Sequence, residues 1–168
     1  GGTARRLTDW TTSESAPQWS PDGNFIAFRS TRDSPGTDIW TMPAGGGAAK
    51  RVTTLGTVLT GNQVSWSPDG RELMFAARGG TGVAVYAVAA VGGAPRILVP
   101  ATSFRPRWSP DGHSISVGKC ERGYCLTELW STAGVRVRSL AAETEIYEND
   151  SRWSSDGSMV FVQAQNLA

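Results

Sequence analysis

With 168 residues, 16 Lys+Arg against 15 Asp+Glu and a net charge of +1, the chain is long enough for one apolar core. It carries no electrostatic footprint for nucleic acid or for an anionic membrane surface. No apolar run approaches the ~20 residues of a membrane-spanning helix, and 20 Gly with 9 Pro point to many turns. The chain opens Gly1-Gly2-Thr3 without a charged-then-apolar leader and stops soon after Met159-Val160-Phe161-Val162. Both ends read as cut from a longer array.

One word recurs along the chain. Gln18-Trp19-Ser20-Pro21-Asp22-Gly23 returns as Ser65-Trp66-Ser67-Pro68-Asp69-Gly70, then as Arg107-Trp108-Ser109-Pro110-Asp111-Gly112, and last as Arg152-Trp153-Ser154-Ser155-Asp156-Gly157. The steps between tryptophans are 47, 42 and 45 residues. A fixed period of this size is the mark of a repeat architecture. Proline presets φ near −65°, aspartate tolerates the next turn position, and glycine accepts the positive φ that closes it.

The segments after each word are short and strand-like. Phe25-Ile26-Ala27-Phe28, Leu73-Met74-Phe75, Ile115-Ser116-Val117 and Val160-Phe161-Val162 come first. A second run centres on Trp40, Tyr86 and Trp130, some 20 to 22 residues after the first three tryptophans. Gly45-Gly46-Gly47, Gly92-Gly93 and Gly134 then turn the chain into third runs at Arg51-Val52-Thr53, Arg96-Ile97-Leu98-Val99 and Arg138-Ser139-Leu140. The strand leading into the next tryptophan supplies a fourth. No window of 11 residues keeps a 3.6 period free of Gly or Pro, which excludes helices. The expected fold is all-β, a β-propeller of four-stranded antiparallel blades, partial at about four blades. The tryptophans are expected to fill the wedges between blades.

The spacing divides the chain into the end of a preceding blade at 1–10, full repeats at 11–55, 56–99 and 100–142, and the start of a further blade at 143–168. A closed four-bladed ring, with Arg5-Arg6-Leu7-Thr8 completing the last unit, is the rival arrangement and lacks one strand.

Chemistry is sparse. The single histidine, His113, shares its turn slot with Asn24, Arg71 and Ser158, which marks a solvent-facing position. No Gly-x-Ser-x-Gly elbow is present, so no catalytic residue is assigned. Gly45-Gly46-Gly47 lacks the Lys-Ser/Thr of a phosphate cradle. One His and two Cys make no zinc site, and no cofactor is expected. Glu143, Glu145, Glu148 and Asp150 form an acidic run whose spacing matches no cation-binding loop, and it reads as a solvated linker. Cys120 and Cys125 flank a four-residue loop between two strand-like runs, close enough for a disulfide and with two free thiols as the alternative. A bridge there would imply an oxidising compartment.

These residues resemble the TolB-type propeller repeat. The first unit matches it nearly throughout, at Trp19 to Gly23, Ile26-Ala27-Phe28-Arg29-Ser30, Arg32-Asp33, Asp38-Ile39-Trp40, Gly45-Gly46 and Arg51-Val52-Thr53. Val83-Ala84-Val85-Tyr86 and Thr127-Glu128-Leu129-Trp130 lack the family's Asp before the apolar pair. The resemblance implies a ring of six or more blades, which at roughly 42 residues each takes about 250 residues or more. It implies an extracytoplasmic, periplasmic, bacterial module that binds a protein partner and has no catalytic role. Residues 31–37, 77–82 and 121–124 are the candidate recognition loops. Two other classes stay open: the propeller portion of a prolyl-oligopeptidase-type serine peptidase with its catalytic domain elsewhere, and a carbohydrate-binding or lyase propeller, whose lyase form needs a histidine cluster.

Overall fold

A computed structural model describes residues 3–60, 63–80, 82–100, 103–121, 124–140 and 151–162, with backbone only at 103, 121, 124 and 125. The repeats fold as antiparallel sheets. The first is β1 (Glu14–Trp19), β2 (Phe25–Ser30), β3 (Asp38–Pro43) and β4 (Lys50–Arg51). The second is β5 (Ser65–Trp66), β6 (Glu72–Gly79), β7 (Gly82–Ala89) and β8 (Arg96–Val99). The third is β9 (Ser103–Trp108), β10 (Ser114–Glu121), β11 (Tyr124–Ser131) and β12 (Arg136–Leu140), and β13 (Ser151–Trp153) with β14 (Val160–Val162) begins a fourth. Strands lie in sheet order as they occur in the chain. The leading strands touch in succession, β1 to β5, β5 to β9 and β9 to β13, so the sheets radiate from these inner edges. This is the arrangement of propeller blades.

Stacking buries both faces of each inner sheet. Ala27, Ile39 and Val52 of the first sheet meet Leu73, Phe75, Ala77 and Val88 of the second. Met74, Val85, Ala87 and Val99 then meet Ile115 and Val117 of the third. Successive residues of one strand thus serve opposite interfaces, as a pleated strand dictates. That is why β2 and β6 read as near-continuous apolar runs and not as apolar–polar alternation.

The tryptophans divide. Trp66 and Trp108 pack against the two inter-sheet cores, and the Trp66 indole N–H donates to the Gln18 carbonyl of the preceding sheet at 3.0 Å. Trp153 is half-buried. Trp19 departs from the wedge-filling expectation: it is 63% exposed, because no described sheet stands on its side. The other half of that face, Ile26, Phe28, Trp40 and Met42, is covered by Leu7 and Trp10 of a strandless leading segment. Arg32 lies 3.8 Å over the Trp10 ring, a cation–π contact that fixes this segment.

The turn words are built identically. In each, the serine hydroxyl donates to the aspartate two residues on at 2.5–2.6 Å. The same hydroxyl accepts the backbone N–H of the residue five further on, at the entrance to the next strand, at 2.9 Å. The aspartate also accepts the N–H of the residue two further on. The closing glycines have φ of 70–74°, open to glycine at little cost. Gly70, Gly112 and Gly157 face Pro21, Pro68 and Pro110 of the preceding turns, so the turns form a column. Ser155, standing where the others carry Pro, leaves the turn intact.

The first sheet holds a buried carboxylate. Asp38 accepts hydrogen bonds from Thr53 Oγ1 at 2.7 Å, Arg51 Nη2 at 2.6 Å and Gly56 N at 3.1 Å. Burial raises its pKa, but these donors outweigh that and leave it below the usual carboxylate value. The rungs Phe28–Trp40–Arg51 and Phe75–Tyr86–Ile97 are equivalent. The second sheet therefore places Ala84, Ile97 and Val99 where the first has Asp38, Arg51 and Thr53. A polar network with its carboxylate buried and its guanidinium partly exposed has been exchanged whole for apolar residues, a replacement better tolerated than removal of one partner.

Two stability predictions follow from these contacts. Asp38→Ala alone strands the buried donors around it and is expected to cost about 3 kcal/mol, whereas Asp38→Ala with Arg51→Ile and Thr53→Val, copying the second sheet, recovers most of that loss in urea denaturation. The turn aspartates are held below 3.8 chiefly by the serine hydroxyl and next by backbone N–H, with Asp156 at about 2. A folded pKa below the unfolded one stabilises above the unfolded value and is lost as pH falls through the folded value. Stability is thus expected to be level above pH 4 and to drop between 3.8 and about 2. In a carboxyl NMR titration, Ser154→Ala should move Asp156 back toward 3.8; an unmoved Asp156 would show that the hydroxyl is not the cause.

Candidate functional site

Where two sheets diverge at the turn end, the column of turns leaves a cleft. The first, of about 600 Å³, lies between the first and second sheets. Its walls are Pro21, Phe25, Met42 and Pro43 on one side and Pro68, Ala90 and Val91 on the other, with Trp66 between. Phe25 is 45% and Val91 75% exposed, both large apolar groups held open to solvent. Asp22 and Asp69 stand on the rim, ionised by their turn hydrogen bonds, and the Lys50 ammonium donates to the Val91 carbonyl at 2.6 Å.

The second cleft, of about 640 Å³, repeats this geometry between the second and third sheets. The positions correspond, but the chemistry does not. Glu72 stands where the first cleft has Phe25, Arg96 where it has Lys50, and Trp108 where it has Trp66. Arg96 pairs with Glu72 at 2.9 Å, and Arg71 lies 3.8 Å from Asp69. Both pairs are substantially exposed, where such contacts contribute little stability. His113 borders this cleft in an exposed turn, its N–H donating to Asp111. Among the described residues no group of three or more His, Cys, Asp or Glu gathers as metal ligands. Among the described residues no helix is long and apolar enough to cross a membrane.

The opposite end of the sheets departs from the expected loops. Residues 77–82 are mostly ladder: β6 and β7 pair as far as Gly79 and Gly82, leaving a two-residue turn. A Cβ on Gly79 would come within 2.4 Å of the Tyr86 hydroxyl, so glycine lets that rung close. Residues 31–37 fold back instead. Gly36 sits so near Gly56 that a Cβ would fall 1.9 Å from its carbonyl oxygen, and Thr37 bridges to Thr57.

The hairpin of the third sheet is longer than its spacing suggests. Pairing runs on through Cys120–Cys125 to Glu121–Tyr124, so the loop has two residues and not four. Cys120 is disulfide-bonded. The hairpin keeps the register of the second sheet's, and Trp130 stands at the rung of Val88, not of Tyr86. It pairs with Ile115, while Trp40 and Tyr86 pair with Phe28 and Phe75, two residues farther from their turns. The rung equivalent to Trp40 holds Glu128. That carboxylate is buried and accepts from Trp130 Nε1 at 3.0 Å and Arg136 Nε at 3.1 Å. In the sequence Glu128 stands two residues before Trp130 as Asp38 does before Trp40, but the rung of Asp38 is held in the third sheet by Leu126. Residues 122–123 and the acidic run at Glu143, Glu145, Glu148 and Asp150 lie outside the described residues.

Known proteins share this arrangement. The chain is 34% identical over 109 residues to the uncharacterized peptidase YuxL of Bacillus subtilis (strain 168), covering 60% of this chain and 16% of that protein. It is 29% identical over 153 residues to the uncharacterized protein Atu1656 of Agrobacterium fabrum (strain C58), covering 86% and 51%. The chain therefore spans at most about half the length of these relatives. The crystal structure of TolB from Acinetobacter baumannii superposes with a TM-score of 0.73 at 22% identity, over 86% of this chain and 36% of that one, a likeness of fold. The family model of the TolB beta propeller domain matches residues 1–167, and the chain belongs to that family.

Proposed function

We propose that this propeller is a non-catalytic, extracytoplasmic module that binds a protein partner across its turn end. The carrying observation is the pair of clefts: one backbone frame presents Phe25 and Val91 in the first and Glu72, Arg71 and Arg96 in the second. A partner with an apolar side chain followed by polar ones matches that order. Aromatic anchors in a pocket with a polar surround are the usual source of binding energy. The extracytoplasmic location rests on the family and on the disulfide at Cys120.

A second reading has its own support. The YuxL match makes the arc a candidate propeller of a serine peptidase, gating a separate hydrolase domain. In that case substitutions in the clefts would alter hydrolysis by the full-length enzyme and leave peptide binding to the arc unchanged.

Selection of a displayed random-peptide library on the chain separates these. Enriched peptides are expected to carry an apolar anchor and to lose about tenfold in affinity, ~1.4 kcal/mol, on Phe25→Asp or Val91→Asp, with Val135→Asp as the neutral control. Peptides indifferent to both substitutions would sink the assignment of the cleft. A fluorophosphonate probe should leave the chain unlabelled; stoichiometric labelling would refute the non-catalytic reading. The bridge is proposed to join Cys120 to Cys125, closing a loop of six residues, and its reduction should cost about 2 kcal/mol in urea denaturation.

A further inference from the structure

Given the peptide-binding reading of the first cleft, on which this rests, we infer that the cleft selects a segment whose apolar anchor stands beside a lysine or arginine, with the cationic head at Asp22. The three turns that border the two clefts share Ser-Pro-Asp-Gly and differ at the residue after the glycine. That residue decides whether the turn carboxylate has a basic neighbour of its own. The slot holds Arg71 beside Asp69, 3.8 Å away, and His113 beside Asp111. Asn24 gives Asp22 only a neutral amide, Nδ2 donating to Oδ2 at 2.9 Å. The other partners of Asp22 are the Ser20 hydroxyl and the Asn24 backbone N–H, and among the described residues no basic side chain pairs with it. Its charge is left to whatever enters the cleft.

The cleft is polarised along its length. Asp22 and Asp69 belong to the turns that join the two inner strands of each sheet, β1 to β2 and β5 to β6, so both carboxylates lie toward the inner edges. Lys50 stands on β4, the outermost strand, and its bond to the Val91 carbonyl, in the turn between β7 and β8, ties the outer end. A cation on the occupant is drawn to the inner end and repelled from the outer one. Between them the surface is apolar. The Trp66 N–H is already given to the Gln18 carbonyl, so the indole offers only ring surface, next to Phe25. A carboxylate on the occupant would meet like charges at the inner end and that ring surface beyond it, where burying a charge is costly. The second cleft has no such polarity, because Arg71 lies by Asp69 and Arg96 pairs with Glu72 within it. An exposed ion pair adds little affinity, so the charge at Asp22 acts on which sequence is chosen and how fast it associates.

A displayed peptide library with one fixed leucine and random flanks, selected on the chain, tests this. Enriched peptides are expected to carry Lys or Arg close to the leucine and to exclude Asp and Glu there. One enriched peptide is then compared by fluorescence anisotropy with a copy whose basic side chain is made neutral, citrulline for arginine or acetyl-lysine for lysine. The two should differ about threefold in affinity, the range of one exposed ion pair, and the difference should fade as salt is added. Asn24→Arg copies the second turn, and Asp22→Asn keeps the acceptor while dropping the charge. Each should abolish the difference and leave the neutral peptide's affinity unchanged. Enriched peptides without a basic residue, or a difference that survives both substitutions, would overturn the assignment. Phe25→Ala should weaken both peptides about tenfold. If it does so while the neutral copy binds wild type as well as the basic peptide, the cleft stands and the cation falls; if it weakens neither peptide, both fall.

Discussion

The structure depends on the stacking of sheet against sheet. Strand β2 carries apolar side chains on both faces, and so does β6. A strand of that composition is stable only when water is excluded from either side. One sheet cannot do this, and two do it for only one face each. The second sheet, with a neighbour on both sides, holds Leu73, Met74, Phe75, Ala76 and Ala77 at 0–1% exposure along a single strand. Truncation at a site such as Phe75 has the large cost expected of a filled core, about 3–5 kcal/mol.

Stacking of this kind needs a spacer that brings every sheet to the same angle, and the turns supply it. The serine hydroxyl, aspartate carboxylate and two backbone N–H groups saturate one another within six residues, so the turn needs no help from its neighbours. A locally complete unit can be repeated without adjustment. The glycine-to-proline column then sets each turn on the one before. The last turn keeps its hydrogen bonds with Ser155 in place of proline, which shows that the carboxylate and hydroxyl, and not the preset φ of proline, close it.

This division explains what could be read from residues alone. The turn words, the strand after each and the number of sheets were legible because all of them are local. The partner of Trp130 was not. Its distance from Trp108 resembles that of Trp40 from Trp19, but the third hairpin takes the register of the second, which carries Trp130 two residues past the rung of Tyr86, and register is settled by pairing and not by spacing. Glu128, which follows the aspartate's spacing but not its rung, is a buried, paired carboxylate all the same. Trp19 reads like Trp66 in every local respect, and its exposure depends only on what stands beside it. The clefts were invisible because they belong to two sheets at once.

The clefts also show where variation is tolerated. Phe25 and Glu72 open equivalent strands just beyond the turn, with their backbone N–H bonded to the turn serine in both cases. The backbone is thus secured whatever side chain follows, and that side chain projects beyond the apolar core. Exchanging an aromatic for a carboxylate there changes the surface and little else. Two positions inward the same strands carry Ala27 and Met74, both fully buried, where a charge would have to be desolvated without a partner. Stability is therefore concentrated in the strand interiors and turns, and chemical identity at the strand entrances is left free. A fold so divided can acquire a new ligand at a cleft without reworking its core, which is how neighbouring clefts on one frame come to be apolar and charged.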